Sequence, residues 1–342
     1  MIELKSDRLA VSFPELPQHP QLTIDFQRTL RIPDDGRDYP LPPGLGSFPL
    51  RHIDDHAPSV PGNWLKRGGV LLPMWQSEAL WLNFHSPYLA GRETEYPFAI
   101  KVATGKLSAV TGEQWRAGLS RNPQDYLVVP GQPWLDGYCV EKGIIRQFVA
   151  MPLGEGYSAE EQLTGKAEFG GMQIEVLPMR SEVFERRFPL LSRSSVKRGV
   201  CFSLCESSAA GMGLAPGGRM RQEIYEDPFS FHDWDTEHVS RCFIHLVNAV
   251  TWNAITGQVP PSKPITAEQY TKAGFPWFDY YNSDLKAVTG SKILSKLKTV
   301  KETAAEKRSD PLADNQTISP PNIVNLRAGL NCHQVREGDF SK

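Results

Sequence analysis

The chain has 342 residues, 40% of them hydrophobic and 22% charged, with a formal net charge of −2. That is an ordinary globular balance, long enough for one large domain or two smaller ones. It gives no global reason to expect nucleic acid or a membrane surface as partner.

Pro and Gly number 28 each, which favours many turns and short strands over long helices. The opening MIELKSDRLAVSF carries early acids and no continuous apolar core, unlike a secretory signal. No run approaches the roughly 20 apolar residues of a membrane helix. Five Cys, at 139, 201, 205, 242 and 332, are odd in number and dispersed, which predicts reduced thiols in a cytoplasm.

In chain order, the first half reads as sheet. Leu22, Ile24, Phe26, Leu30 and Ile32 fall on alternate positions, the period of a half-buried strand. Arg28 interrupts that face and needs a carboxylate partner or an exit to solvent. A turn at Pro33-Asp34-Asp35-Gly36 follows. Further strands are predicted over 69–72, 79–84, 98–104, 106–110, 126–129, 144–151 and 172–177. Capping boxes at Thr111/Gln114, Ser158/Glu161 and Thr266/Gln269 predict short helices. Pro133-Trp134-Leu135-Asp136 echoes Pro276-Trp277-Phe278-Asp279, too short a likeness to support a duplication.

Residues 180–198 shift to basic composition and suggest a boundary. The expected division is a β-rich domain at 1–180, an α+β portion at 181–301 packed on it, and an extended arm at 302–342. In the second portion Val239, Phe243, Leu246, Val247, Val250 and Ala254 recur at three- and four-residue steps. They predict a long helix over 236–256, with His238, Arg241, His245 and Trp252 on the opposite, partly solvated face. A basic amphipathic helix is expected over 284–300, and an edge strand at 323–326. The fold class is therefore α+β, a β-rich sandwich or barrel-like sheet with a C-terminal helical portion.

Candidate chemistry falls in three places. His52, Asp54 and His56 form one cluster of metal-ligand types, and His232 and Asp233 form another. No HExxH and no paired CxxC accompanies them, so no metal is favoured. The glycine-rich run 211–218 precedes Arg219 and Arg221, where successive amides and two guanidinium groups suit an anion. Pro216 breaks the dinucleotide pattern, and a flexible connection is the preferred reading. Residues 180–221 are basic and 222–240 acidic, and mutual neutralisation is favoured over recruitment of ligands.

The segments GGVLLPMWQSEALWLNF at 68–84 and AGFPWFDYYNSDLKAVTGS at 273–291 resemble a family of soluble bacterial proteins to which we attach no activity. The resemblance implies a bacterial cytoplasmic protein and carries over no catalytic residue.

The leading functional expectation is a cytoplasmic binding or assembly protein without a cofactor. It would present an aromatic and charged surface to a protein partner or to a second copy of itself. The rival is a metal-assisted hydrolase, with His232, Asp233, His238 and His245 as candidate catalytic groups. A third reading, anion or nucleic-acid binding through 180–221, is weakened by the slightly acidic balance.

Overall fold

The computed structural model describes residues 1–89, 91–190, 211–281, 285–309 and 316–327. Two large sheets organise these residues. The larger runs Ile2–Lys5, Arg8–Ser12, Gln21–Thr29, Ala79–His85, Ile144–Pro152, Met212–Arg221 and Asp38–Tyr39 in spatial order. The smaller runs Leu107–Ser108, Phe98–Thr104, Met172–Pro178, Ser240–Asn248, Val70–Met74 and Arg51–His52. Neighbours pair antiparallel except at Met212–Arg221 with Asp38–Tyr39 and at Ser240–Asn248 with Val70–Met74.

Alternation places the central strands between two apolar layers. In the larger sheet Leu80, Phe148, Ala150 and Leu214 face the shared core. Ala79, Val149, Met151 and Ala215 face a second cluster, closed by Val300 and Ala304 of the helix Val300–Glu306. In the smaller sheet Val70, Leu72, Ile244 and Leu246 face the shared core. Leu71 and Val247 face a third cluster beneath Ile53, Trp64 and Trp252. The result is a β-rich α+β fold with no closed barrel and with helices toward its C-terminal end.

Most first-half strands form where alternation places them. Arg28 finds its carboxylate in Glu78, with Nε to Oε1 at 2.7 Å. The Ser158 box caps Ala159–Thr164, which ends at the left-handed Gly165, φ +70°. The Thr266 box caps Ala267–Lys272. Thr111 starts no helix: its stretch turns back so that Gln114 bridges Leu107.

The expected helix over 236–256 is the main correction. Its first part is the strand Ser240–Asn248, and only Ala249–Thr256 is helical. A strand buried on both faces reads as a continuous apolar run and satisfies either period. The two faces are consequently reassigned. His245 and Trp252, expected on the solvated side, are buried, whereas Val250, expected in the core, is 73% exposed.

Three more expectations change. The glycine-rich run is no flexible loop, because Met212–Arg221 is a strand of the larger sheet. A Cβ at Gly217 would strike the Val149 side chain, and one at Gly218 the carbonyl of Pro33. Those glycines serve close packing on a sheet covered from both sides. From 285 to 299 the only helical piece is the short turn Leu294–Lys296; Gly290, at φ +75°, packs on the backbone of Glu141. The arm expected from 302 begins inside the helix Val300–Glu306, and further on Ile323–Arg327 pairs with Trp277–Tyr281.

Residue 180 divides neither sheet, since strands from both sides of it are hydrogen-bonded neighbours in each. Arg193, Lys197, Arg198, Cys201, Cys205 and Cys332 lie outside the described residues. Among the described residues no helix is long and apolar enough to cross a membrane.

The reassigned strand separates two substitutions by stability. Ile244→Ala removes a core side chain and is expected to cost about 2–5 kcal/mol. Val250→Ala is expected to stay within about 0.5 kcal/mol of the parent. Urea unfolding measures both, and equal costs would favour the helix.

Candidate functional site

The groups singled out by sequence do not converge. Among the described residues no three His, Cys, Asp or Glu side chains are placed to share a metal ion. His52 and Asp54 are exposed at the start of the turn Asp54–Ser59, which also holds His56. His232 is exposed beside Phe231. Asp233 is buried and accepts hydrogen bonds from Arg187 Nη2 at 2.7 Å and the Ser230 amide at 3.2 Å. His238 pairs through Nδ1 with Asp235 Oδ2 at 2.8 Å. His245 lies between the rings of Trp64 and Phe243, at 4.8 and 4.5 Å, with Nε2 on the Gly68 carbonyl. Burial pushes its imidazole down to about 4, outweighing that hydrogen bond, so it stays neutral at neutral pH.

The two arginines are likewise engaged. Arg219 meets Asp38 and Glu141, and Arg221 grips Asp279 with two bonds of 2.9 Å. Arg187–Asp233 is one direct pair between the basic and acidic segments; the other partners named here lie outside the acidic one.

Three recesses on the described surface bear on binding. Two are wide with mixed linings, about 500 and 520 Å³. In the first, Arg121 is spent on Asp227 and the Phe229 carbonyl. In the second, Glu160 receives the amides of Glu168, Phe169 and Gly170, and the Lys106 ammonium sits over the Phe169 ring. These charges already serve the fold.

The third recess is different in kind. It measures about 170 Å³ and is walled by Trp81, Trp134, Phe278, Leu41 and Leu326, with Asp136 in its lining. Trp81 points away from the shared core because its neighbours Leu80 and Leu82 point into it. The short strand Trp134–Leu135 pairs with Asn83 and Leu82, which brings the second indole alongside. The two rings meet edge to face with centroids 6.4 Å apart. Tyr280 braces Trp134 from behind at 4.6 Å.

The remaining wall is a loop locked to a strand. Leu41 and Phe278 exchange both backbone hydrogen bonds, at 2.7 and 2.9 Å. Pro42 and Pro43 stiffen the loop, and Gly44 lets it lie on Trp81: a Cβ there would be 3.3 Å from the indole. The Arg221–Asp279 pair ties the strand Trp277–Tyr281 to the larger sheet. The two echoing segments thus face each other across the recess, Trp134 and Asp136 on one side and Phe278 on the other.

Asp136 is the unusual group. It is 3% exposed, and among the described residues its carboxylate has one hydrogen-bond partner, the Gln222 amide nitrogen at 2.7 Å. The same Gln222 accepts the Asp136 backbone N–H, so both ends of the amide are fixed on one residue. Burial raises the carboxyl to about 7, and Gln222 offsets this in part. An aromatic recess with one ionisable group poised near neutrality is the usual form of a ligand site. The Trp81 indole nitrogen is also buried without an acceptor. Composition alone did not expose this site, although the echoed Pro-Trp-x-Asp segments were its visible trace.

Compared with family models, curated proteins and solved structures, the chain matches none.

Two sets of measurements follow. Asp235 accepts the amides of Glu237 and His238 in a turn, so Asp235→Ala is expected to cost about 1 kcal/mol, while His232→Ala changes melting little. Elemental analysis is expected to find no stoichiometric transition metal. About one metal per chain, lost in His232→Ala and His52→Ala, would reinstate the hydrolase.

The second concerns pH. The Asp136 carboxyl rises from 3.8 unfolded to about 7 folded, so in that window the native state holds a proton the unfolded chain has released. Its contribution is present below about pH 4 and is lost as pH climbs through about 7, at up to about 1.4 kcal/mol per unit. The stability difference between Asp136→Asn and the parent is expected to move in favour of the variant over that range, then level off. A difference independent of pH would show that Asp136 ionises normally.

Proposed function

We propose that this chain is a binding protein that holds one group of its partner in the aromatic recess between Trp81, Trp134 and Phe278. The observation that carries the reading is a preformed apolar opening, built from five separate segments, beside a buried titratable group. Such rings give large contact area at low entropic cost, which is why aromatic side chains dominate binding hot spots. The small volume suits the end of a side chain better than a whole ligand, since drug-sized sites run to roughly 300–1,000 Å³. Leu326, 38% exposed at the rim, offers apolar surface for the rest of a partner. A cytoplasmic setting and a protein partner belong to this proposal.

The hydrolase reading has less support. Its expected ligands form no group of three among the described residues, and Asp233 is committed to Arg187 and Ser230.

Mapping with small organic probes tests the reading. Phenol and isopropanol are expected to shift the indole N–H resonances of Trp81 and Trp134, and Trp134→Ala should abolish the shift. Perturbations spread over the surface, or absent from these two indoles, would overturn it.

A further inference from the structure

Asp136 departs from a rule that most buried acids of the described residues obey. Burying a carboxylate is costly unless a cation or a set of donors meets it. Asp34, also raised by burial, is met by the Lys301 amide and Thr299. Glu78 meets Arg28, Asp125 meets Lys101, Glu175 meets Arg241 and Asp227 meets Arg121. Glu160, without a cation, takes three backbone amides instead. Among the described residues Asp136 has neither: one side-chain amide is its whole complement. Cations on neighbouring strands have other partners: Arg221 meets Asp279, Arg219 meets Asp38 and Glu141, Arg28 meets Glu78, and Arg146 meets the Leu297 carbonyl through Nη1. The other titratable group beside the recess is Tyr280, whose hydroxyl is shifted up by burial and carries no positive charge.

The missing partner has a place to come from. Asp136 lines the recess whose walls are Trp81, Trp134 and Phe278. Aromatic faces attract cations, most strongly when water is excluded, and they repel anions. A neutral apolar group would satisfy the rings but leave the carboxyl unpaired. A sugar or amide would require several donors and acceptors, and beside the two indole N–H groups the lining offers one carboxyl, Asp136. An ammonium at the end of an alkyl chain meets both demands: methylenes against the rings, charge against the carboxylate.

We infer that the recess is a receptor for an alkylammonium group, the lysine side chain of a partner protein, with Asp136 as its counter-ion. This rests on the binding reading proposed above. The small volume and the apolar rim favour a tethered side chain over a free amine.

The test uses the whole chain and four probes. These are n-butylammonium, neutral n-butanol, and the blocked peptides acetyl-Ala-Ala-Lys-Ala-Ala-amide and its norleucine counterpart. Binding is read from the indole N–H resonances, at pH 6 and pH 8, in the parent, Asp136→Asn and Trp134→Phe. The lysine peptide is expected to bind at least tenfold tighter than the norleucine peptide. That margin should widen from pH 6 to pH 8 and vanish in Asp136→Asn, whose fold is verified by its melting curve. Equal binding of charged and neutral probes, unchanged in Asp136→Asn but weakened in Trp134→Phe, would overturn the cation and leave the recess as a binding site. Binding of butylammonium without the lysine peptide would overturn the tethered source. No perturbation of either indole by any probe would overturn both this inference and the binding reading.

Discussion

Double-sided burial is the constraint on which this structure depends. The central strands of both sheets are covered on each face, so a run such as 243–247 has no solvent side on which to place polar groups. Each charge that remains inside must therefore be neutralised locally, because an unpaired buried ion costs more than most single contacts return. The ladder shows how this is arranged. Glu175 and Arg241 are register partners on adjacent strands and also an ion pair. Lys101 is 1% exposed, and its ammonium meets Asp125, two backbone carbonyls and the Trp115 ring. Glu78 receives both Arg28 and the Trp75 amide. These pairs permit a thick fold rather than adding much stability beyond it.

The same constraint explains what was legible in the sequence. Where a strand had an interrupted or half-polar face, alternation showed it: Leu22, Ile24 and Phe26 lie inside, and the need of Arg28 for a carboxylate was met by Glu78. Where a strand was buried on both sides, the pattern became ambiguous. Phe243 to Val247 carries no polar position except His245, and that imidazole is hidden between two rings. A helix was the natural reading of such a run, and only the partners Val70–Met74 and Met172–Pro178 decide otherwise. The glycines at 213, 217 and 218 misled for a related reason. Glycine density signals flexibility in a solvated loop but close approach in a covered sheet.

The site was harder to see because its parts are distant in sequence and ordinary in type. Trp81, Trp134, Phe278 and Leu41 come from four segments, and only the sheet order brings them together. Of the conspicuous groups, His52 and His232 proved to be exposed, His56 half-buried, and Arg219 already paired. Loop histidines and acids have many structural uses, so their presence weighs little without geometry. Asp136 carried no sequence signal of its own beyond sharing a Pro-Trp-x-Asp frame with Asp279. The two copies diverge in role: Asp279 has its arginine, and Asp136 has none.

That divergence links stability to binding. A buried carboxyl with a single amide partner is a standing cost to the free protein whenever it ionises, and protonation relieves it only below about pH 7. An arginine nearby would have removed the cost and closed the site to other cations. A ligand ammonium removes it only while bound. Part of the ligand's binding energy is then relief of strain already present in the free state, and occupancy raises stability by mass action. The proton competes for the same carboxylate. Affinity for a cation must therefore weaken on acidification through the same window in which the free protein gains stability, because both effects are one protonation viewed from two sides.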